Sequence, residues 1–428
     1  LEKESKKRAD ALIAKHDKDN GTPGLFGVML LQAGGLFNGG SSALIGNQPQ
    51  PTTNILNQIL LIGGIIVVSI ITIILLIFII RRNLRKKHDF GPSSHLITLQ
   101  ITIPKEQQLK DKAGDVGIDA IRAQIATGEQ FLNTIGAMKA QKGFFVWLFG
   151  RSDHMAFEIV AQGGLIYFYL VVPKKIRMQI EEQLQAQYPA VQIEEVDDYN
   201  FFKPKDVVIG ASLRLAKSFT YPIKTYQETE TDPLNGILTP LTKLGEDSGV
   251  AIQYVVRSAH GKWRSQSKSV GKQISEGKSG KKGIGSHLSS AISYSVGKDA
   301  SKDEPKESYT PTQMEQESIK KIDEKQSRAG LDCNIRIVVS APQENTAQII
   351  LKNVLSGYSQ FTLFKIGNSF KADVPKKPST LINQFIYRQY SDKNHLLVNT
   401  EELASLWHVP TPFLEVPNIK WLTSRSAP

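Results

Sequence analysis

Basic side chains in one segment are the residues of this chain with the clearest capacity for chemistry. They are Lys262, Arg264, Lys268, Lys272, Lys278, Lys281 and Lys282. From residue 260 to residue 298, Glu276 is the only acidic residue, and many of the remaining positions are Ser, Gly or Gln. Such a segment can bind nucleic acid weakly, or an anionic membrane surface, by releasing the counterions that surround phosphate groups. The alternative is a solvated linker whose charge only keeps it soluble.

The sequence Gly277-Lys278-Ser279 matches the end of a phosphate-binding loop, but its surroundings do not. Such a loop needs a glycine five residues before Gly277, where this chain has Lys272, and an apolar strand leading into it. The histidines lack partners at metal-site spacing, and Cys333 lies in an alternating apolar pattern typical of a core strand. We therefore assign no catalytic, cofactor-binding or metal-binding residue, and we expect no enzymatic activity from the chain itself.

The stretch Ile59–Ile80 contains no charged residue and is long enough to cross a hydrocarbon core of about 30 Å as a helix. A basic collar follows it directly, consisting of Arg81, Arg82, Arg85, Lys86 and Lys87. Because the nearest preceding basic residue is Lys18, the positive-inside rule places the C-terminal side in the cytoplasm. We predict a single-pass protein of the bacterial cytoplasmic membrane, whose collar meets anionic lipid headgroups. The alternative is the buried core helix of a soluble domain.

Composition divides the chain into segments of different character, and the net charge of +11 is compatible with an acidic partner such as DNA or lipid. The predicted segments are a mobile extracytoplasmic arm (1–54), the transmembrane helix (55–81), a basic juxtamembrane linker (82–94), a first α/β module (95–202), a second α/β module in two parts (203–259 and 331–375), a disordered insertion (260–330), and a C-terminal extension and linker (376–428). The insertion has too few large apolar residues to offset its chain entropy, although a transient helix is predicted over Met314–Lys325.

The first module has the order β-α-β-β-α-β of a ferredoxin-like unit. A strand pattern covers His95–Pro104, a helical pattern follows with a break near Gly128, and two apolar runs flank the hairpin signal Gly163-Gly164. The same order returns in the second module, which ends with a predicted strand over Phe361–Gly367. We therefore predict an α+β fold in which a single transmembrane helix precedes two ferredoxin-like modules, the second with a long disordered insertion.

An alignment of the two modules places Phe157 to Val160 opposite Ile252 to Val255. A duplicated module explains this correspondence, and a chance similarity between short apolar strands is the alternative. Phe157, Tyr167 and Tyr169 could present a stacking surface for single-stranded nucleic acid. Packing against helices or against the sister module is the explanation that we prefer for them.

Several segments together resemble the N-terminal part of a bacterial family of membrane-anchored proteins related to type IV secretion ATPases and conjugative DNA coupling proteins. They are the apolar span with its basic collar, HLITLQITIPKE, MAFEIVAQGGLIYFYLVVPKK, IEEQLQAQYPAVQIEEVDDY, NTEELASLWHVPTP and NIKWLTSRSAP. In longer family members a RecA-like ATPase core follows the segment similar to TEELASLWHVP. This sequence does not contain that core, so no ATPase residue is transferred to it.

The resemblance implies a cytoplasmic module that stands between a membrane anchor and a motor. We expect a non-catalytic interaction module of a type IV secretion or conjugative DNA-transfer machine, with the lipid bilayer and a secretion or conjugation ATPase as partners. Weak nucleic-acid binding through residues 260–298 and an oligomeric assembly are also expected. One alternative is the N-terminal part of a DNA-translocating ATPase whose catalytic core lies beyond Pro428, and another is a stand-alone envelope scaffold that binds protein.

Overall fold

The computed structural model describes residues 53–89, 96–104, 117–277 and 309–422. The predicted extracytoplasmic arm lies outside these residues, except that Thr53 and Asn54 begin a helix. Lys278, Lys281 and Lys282 also lie outside them.

Helix α1 (Thr53–Asp89) contains the predicted membrane span. Its segment Asn57–Asn83 is long and apolar enough to cross a membrane, and none of its apolar window is buried. The core helix of a soluble domain would have its apolar side chains covered, so this exposure does not fit that alternative. The helix continues through the collar, past the predicted end at residue 81, because Arg and Lys are good helix formers.

The sheet domain, which runs from Leu96 to Leu422, contains both strands and helices. The strands are β1 (Leu96–Thr102), β2 (Met155–Gln162), β3 (Leu165–Pro173), β4 (Gln192–Val196), β5 (Val207–Leu215), β6 (Gly249–Ser258), β7 (Gly330–Ala341), β8 (Phe370–Asp373) and β9 (Leu396–Asn399). The α-helices are α2 (Ile118–Ala137), α3 (Phe144–Phe149), α4 (Arg177–Gln187), α5 (Leu234–Leu238), α6 (Lys262–Ser275), α7 (Gln313–Ser327), α8 (Glu344–Ser356), α9 (Ser379–Ile386) and α10 (Thr400–Leu406). Short 3-10 helices cover Lys174–Ile176, Tyr226–Glu228, Thr239–Lys243, Gly357–Phe361 and Asp392–Asn394.

These strands form one antiparallel sheet in the order β4-β1-β3-β2-β6-β7-β5-β8, and β9 pairs with β7 off this path. Within each half of the sheet, the four strands can be numbered by their order along the chain. From the outer edge to the centre, both halves then have the order fourth, first, third, second. Strands β2 and β6 join the halves at the centre, where Glu158 lies opposite Gln253. Strands β4 and β8 are the two outer edges.

Strands β2 and β3 form the predicted hairpin. Its turn consists of Gly163 and Gly164, whose φ angles of +57° and +76° lie in the left-handed region. A side chain at either position would be strained there, whereas glycine adopts this conformation freely. The Gly-Gly pair therefore sets where the chain reverses.

The main core lies on one face of the sheet, between the strands and helices α2, α4, α8 and α10. On β2, Phe157 and Ile159 face this core and Val160 faces the opposite side, as the two-residue period of a strand requires. The opposite side carries a smaller core in which Phe201 and Phe385 cover the sheet. Both faces of the central strands are consequently buried.

The predicted disordered insertion is helical at both ends. Helices α6 and α7 pack against each other, and Trp263, Ile274 and Ile322 are buried. A capping box at Thr312 begins α7, in which its side chain accepts from the Glu315 backbone N–H. A few large apolar residues at helical spacing are enough to dock these two helices, although the average composition of the segment is polar.

Three other features of the fold differ from the sequence-based predictions. Helix α2 runs through Gly128 without a break, and a Cβ at this position would lie 3.0 Å from the His408 Cβ, so the glycine allows close packing. The last strand of the second half is β8, because Phe361 ends a 3-10 helix and the chain turns before Phe370. Residues 376–422 belong to the same fold, since β9 pairs with β7 and α10 is buried.

Candidate functional site

Helix α6 carries the described part of the predicted nucleic-acid-binding segment. Its four basic residues, Lys262, Arg264, Lys268 and Lys272, are all exposed. Arg264, Lys268 and Lys272 follow one another at four-residue intervals, so they lie along one face of the helix. We call these three residues the basic stripe. An adjacent face of the helix buries Trp263 and Ile274.

The three residues of the basic stripe make different contacts. The Arg264 guanidinium donates to the main-chain carbonyls of Gln326 at 3.1 Å and Arg328 at 2.8 Å, so it fastens α6 to the end of α7. The Lys272 ammonium lies 3.7 Å from the Glu276 carboxylate. Lys268 makes no hydrogen bond or ion pair with another described residue, and it is the member most available to an external anion.

The collar begins where the apolar stretch of α1 ends. The Arg81 Nε donates to the main-chain carbonyl of Trp147 at 2.9 Å, and its guanidinium lies 4.5 Å from the centre of the Trp147 ring. Arg82 is exposed. The remaining predicted collar residues lie in the last turns of the same helix, and they are Arg85, Lys86 and Lys87.

Trp147 belongs to α3, an aromatic helix that the sequence-based predictions do not include. The exposed fractions are 67% for Phe144, 73% for Phe145 and 43% for Trp147. The helix lies between Gly143 and Gly150, whose φ angles of +119° and +100° favour glycine. The run FFVWLF between two glycines is the signal that could have revealed it.

A central network of charged and polar side chains lies where the two halves of the sheet meet. The Glu158 carboxylate on β2 accepts hydrogen bonds from the Tyr199 hydroxyl at 2.8 Å and from the Gln253 amide on β6 at 2.7 Å. The Arg388 guanidinium donates to both oxygens of Glu158, at 3.1 and 3.3 Å, and to the partly exposed Asp198. Glu158 is fully buried and Arg388 is 5% exposed. Each charge therefore offsets part of the free-energy cost of burying the other.

Arg388 and Arg336 differ in their electrostatic surroundings within this network. Burial alone would lower the pKa of Arg388, but Glu158 and Asp198 raise it well above its ordinary value. Burial lowers the pKa of Arg336 to about 10, and its guanidinium donates to the Gln253 side-chain carbonyl at 2.9 Å and to the Gln384 main-chain carbonyl at 3.4 Å. Both arginines remain protonated at neutral pH and join the sheet to the segment after α9.

A second buried network surrounds α10, the helix that contains the TEELASL sequence. The Lys325 ammonium on α7 lies 2.9 Å from the Glu402 carboxylate, and both side chains are 1% exposed. Glu402 also accepts from the backbone N–H groups of Ile223 at 2.9 Å and Asn399 at 2.8 Å. Burial lowers the pKa of Lys325 although Glu402 opposes the change. The network ties α7 and residue 223 to the start of α10.

The end of α10 is held by a third polar group. The His408 Nε2 lies 3.2 Å from the Asp232 carboxylate, which also accepts from the Thr411 hydroxyl at 2.7 Å and from the Leu234 backbone N–H at 2.9 Å. Burial would raise the pKa of Asp232, but the charge of His408 and these hydrogen bonds outweigh it and lower the pKa below its ordinary value. This group joins the end of α10 to the start of α5.

The predicted aromatic surface is not a single surface. Phe157 lies in the main core, whereas Tyr167 and Tyr169 stand on the other face of the sheet. Tyr169 is buried under Tyr199, whose ring centre lies 4.9 Å away. Burial raises the pKa of Tyr169 to about 12. These side chains pack the protein interior, which is the explanation preferred from the sequence.

The buried charged groups of the sheet domain pair with one another, and Lys325 and Glu402 also line a small cavity. Among the described residues, no cluster of His, Cys, Asp and Glu side chains is arranged to hold a metal ion. Two described surfaces carry exposed basic or aromatic side chains, namely the basic stripe and the aromatic helix α3. These two surfaces are therefore the candidate functional sites.

Comparisons with known proteins identify a family for most of the chain. No curated protein matches the chain. A family model described as "Domain of unknown function (DUF8128)" matches residues 107–422, a range that holds α3, the basic stripe and the buried networks. Because the match covers well over half of the sequence, the chain belongs to the DUF8128 family.

Proposed function

We propose that the protein is a membrane-anchored, non-catalytic interaction module that holds its sheet domain at the cytoplasmic face of a bacterial membrane. The observation that carries this proposal is α1, an exposed apolar helix that ends in a basic collar directly before the sheet domain. Basic residues on one side of a span favour cytoplasmic placement of that side. The resemblance to proteins related to type IV secretion ATPases and conjugative DNA coupling proteins suggests that the module stands next to a motor ATPase.

The proposal includes a duplicated origin for the sheet domain, as two ferredoxin-like modules joined edge to edge. The repeated strand order and the antiparallel pairing of β2 with β6 support it. The sequence alignment makes Glu158 equivalent to Gln253, and these residues pair with each other at the junction. Equivalent residues meet in this way when a two-fold axis relates two copies of a module.

Membrane anchoring makes a direct prediction. The full chain is expected to stay in the membrane pellet after extraction at alkaline pH, because an apolar helix of this length partitions into lipid far more stably than a surface attachment. Removal of residues 59–80 is expected to release the protein into the supernatant. A reporter fused after Asp89 is expected to be active in the cytoplasm. Release of the intact chain by alkaline extraction, or cleavage of the sheet domain by protease added outside whole cells, would contradict the proposal.

The basic stripe suggests that the module also touches the nucleic acid handled by such a machine. Changing Lys268→Glu together with Lys272→Glu is expected to weaken binding of the full chain to single-stranded DNA at low salt. Loss of two phosphate contacts is expected to reduce the slope of log K against log salt by about 1.4, since each contact contributes about 0.7. Fluorescence anisotropy over a range of salt concentrations measures this slope.

The matched control for this experiment is Lys174→Glu with Lys175→Glu. It makes the same change in net charge at two exposed lysines of a short helix elsewhere in the sheet domain. Equal losses in both variants would assign the binding to net charge alone. Unchanged binding in the Lys268 and Lys272 variant would exclude the basic stripe as a nucleic-acid contact.

A further inference from the structure

Helix α3 carries three exposed aromatic side chains, Phe144, Phe145 and Trp147. Phe145 is exposed by 73%, more than any apolar residue of the span, and Phe144 stacks on Trp147 with ring centres 5.8 Å apart. A helix that exposes stacked aromatic rings next to basic side chains is typical of segments that lie in the interfacial layer of a membrane.

The contact between Trp147 and Arg81 identifies the occupant of this surface. Arg81 is the first residue after the apolar stretch of α1, so its guanidinium is expected at the depth of the lipid headgroups. It binds both the main-chain carbonyl and the ring of Trp147. The aromatic rings of α3 are therefore next to the point where the chain leaves the bilayer.

We propose that α3 inserts Phe144, Phe145 and Trp147 into the headgroup region of the same bilayer that α1 crosses. This gives the sheet domain a second attachment and limits its rotation about the anchor. The inference rests on the proposed membrane anchoring and adds a defined surface of the domain to it.

The residues around α3 have the charge that an anionic membrane surface attracts. Lys139 and Lys142 are exposed just before the helix, and Arg82 is exposed at the collar. Basic residues near the surface strengthen such an attachment, so lipid with anionic headgroups is expected to hold α3 more firmly than neutral lipid.

The conformations of Gly143 and Gly150 suit an inserted element. Each has a φ angle in a region that L side chains rarely adopt, and no heavy atom lies within 4 Å of the position that a Cβ would take. The glycines therefore allow backbone conformations on both sides of α3 that other residues would adopt only with strain.

The experiment places a polarity-sensitive fluorophore on α3 in the full chain. The native Cys333 is completely buried, so a new exposed cysteine is labelled selectively. Phe145→Cys carries the label in the test variant. Phe364→Cys is the matched control, because Phe364 is also a highly exposed phenylalanine, at 80%, in the second half of the sheet domain. Both proteins are reconstituted into vesicles of phosphatidylcholine and phosphatidylglycerol, with or without lipids that carry a nitroxide near the headgroup.

The label at residue 145 is expected to emit at shorter wavelength than the label at residue 364 and to be quenched several-fold more by the nitroxide lipids. An added Phe144→Glu substitution is expected to reduce that quenching. Vesicles of phosphatidylcholine alone are expected to give weaker quenching than the anionic mixture.

Equal emission and equal quenching at residues 145 and 364 would overturn the inference. A blue-shifted label at residue 145 that nitroxide lipids do not quench, with disulfide-linked dimers of unlabelled Phe145→Cys in detergent, would overturn it in favour of a second copy of the chain. Flotation of the protein with vesicles is recorded in parallel. A protein that floats without quenching at residue 145 loses only this inference, whereas a protein that does not float loses the proposed anchoring.

Discussion

Replacing Arg388 with methionine is expected to lower the free energy of unfolding by about 3–5 kcal/mol, because it leaves the carboxylate of Glu158 buried without its opposite charge. Glu158 is completely buried where β2 pairs with β6. The loss of stability is therefore expected to weaken this pairing, which joins the two halves of the sheet. Urea unfolding of the full chain in detergent, followed by tryptophan emission, measures the change. Trp407 reports from the main core, where its ring lies 4.5 Å from Phe157.

Two further variants test whether the isolated charge is the cause. Arg177→Met removes a surface arginine that pairs with Glu181 and Glu195, and it is expected to cost less than about 1 kcal/mol. Glu158→Gln combined with Arg388→Met is expected to recover much of the lost stability, since the Tyr199 hydroxyl can accept a hydrogen bond as well as donate one. A double variant with a lower free energy of unfolding than Arg388→Met alone would show that the isolated charge of Glu158 does not cause the destabilisation.

Asp232→Asn is expected to cost about 1.5–3 kcal/mol at neutral pH, because Asp232 is a buried carboxylate that accepts hydrogen bonds from the Thr411 hydroxyl and the Leu234 backbone N–H. The pKa of Asp232 is lower in the folded protein than its unfolded value of about 3.9. Its contribution is therefore complete above that unfolded value and is lost as the pH falls through the folded pKa. Unfolding titrations between neutral and acidic pH are expected to show a smaller loss of stability for the variant than for the natural protein.

Asp247→Asn is the matched control for this prediction. Asp247 has an exposed side chain in a surface ion pair with Lys203 at 3.1 Å, so its replacement is expected to leave stability nearly unchanged at every pH. A pH profile for Asp232→Asn that runs parallel to that of the natural protein would show that Asp232 does not supply the acid-sensitive part of the stability.

The sequence predicts the elements whose signals are local. Ile59–Ile80 stands out because lipid demands a long uncharged run, and the hairpin at Gly163-Gly164 stands out because only glycine adopts both turn conformations easily. The mixture of helices and strands also follows from the sequence, since alternating patterns and helical patterns both occur along it.

Features that depend on distant partners could not be predicted in this way. Glu158 and Arg388 are 230 residues apart, and nothing near either residue in the sequence indicates the other. The pairing of β2 with β6 likewise depends on contacts between the two halves of the sheet. Averaged composition concealed α6, because its buried Trp263 and Ile274 are few among serines and lysines. The six-residue helix α3 was too short for a periodic signal.

The outer edges of the sheet affect how copies of this protein behave when they are crowded together. An edge strand offers unpaired backbone groups to any neighbouring chain, and tethering to a bilayer raises the frequency of such encounters. Strand β4 presents Glu194 and Glu195, and β8 is four residues long with exposed Lys371 and Asp373. These charges and the short length of β8 oppose growth of one sheet onto the next. In the proposed membrane-anchored arrangement, these edges are expected to oppose aggregation of neighbouring copies through strand addition.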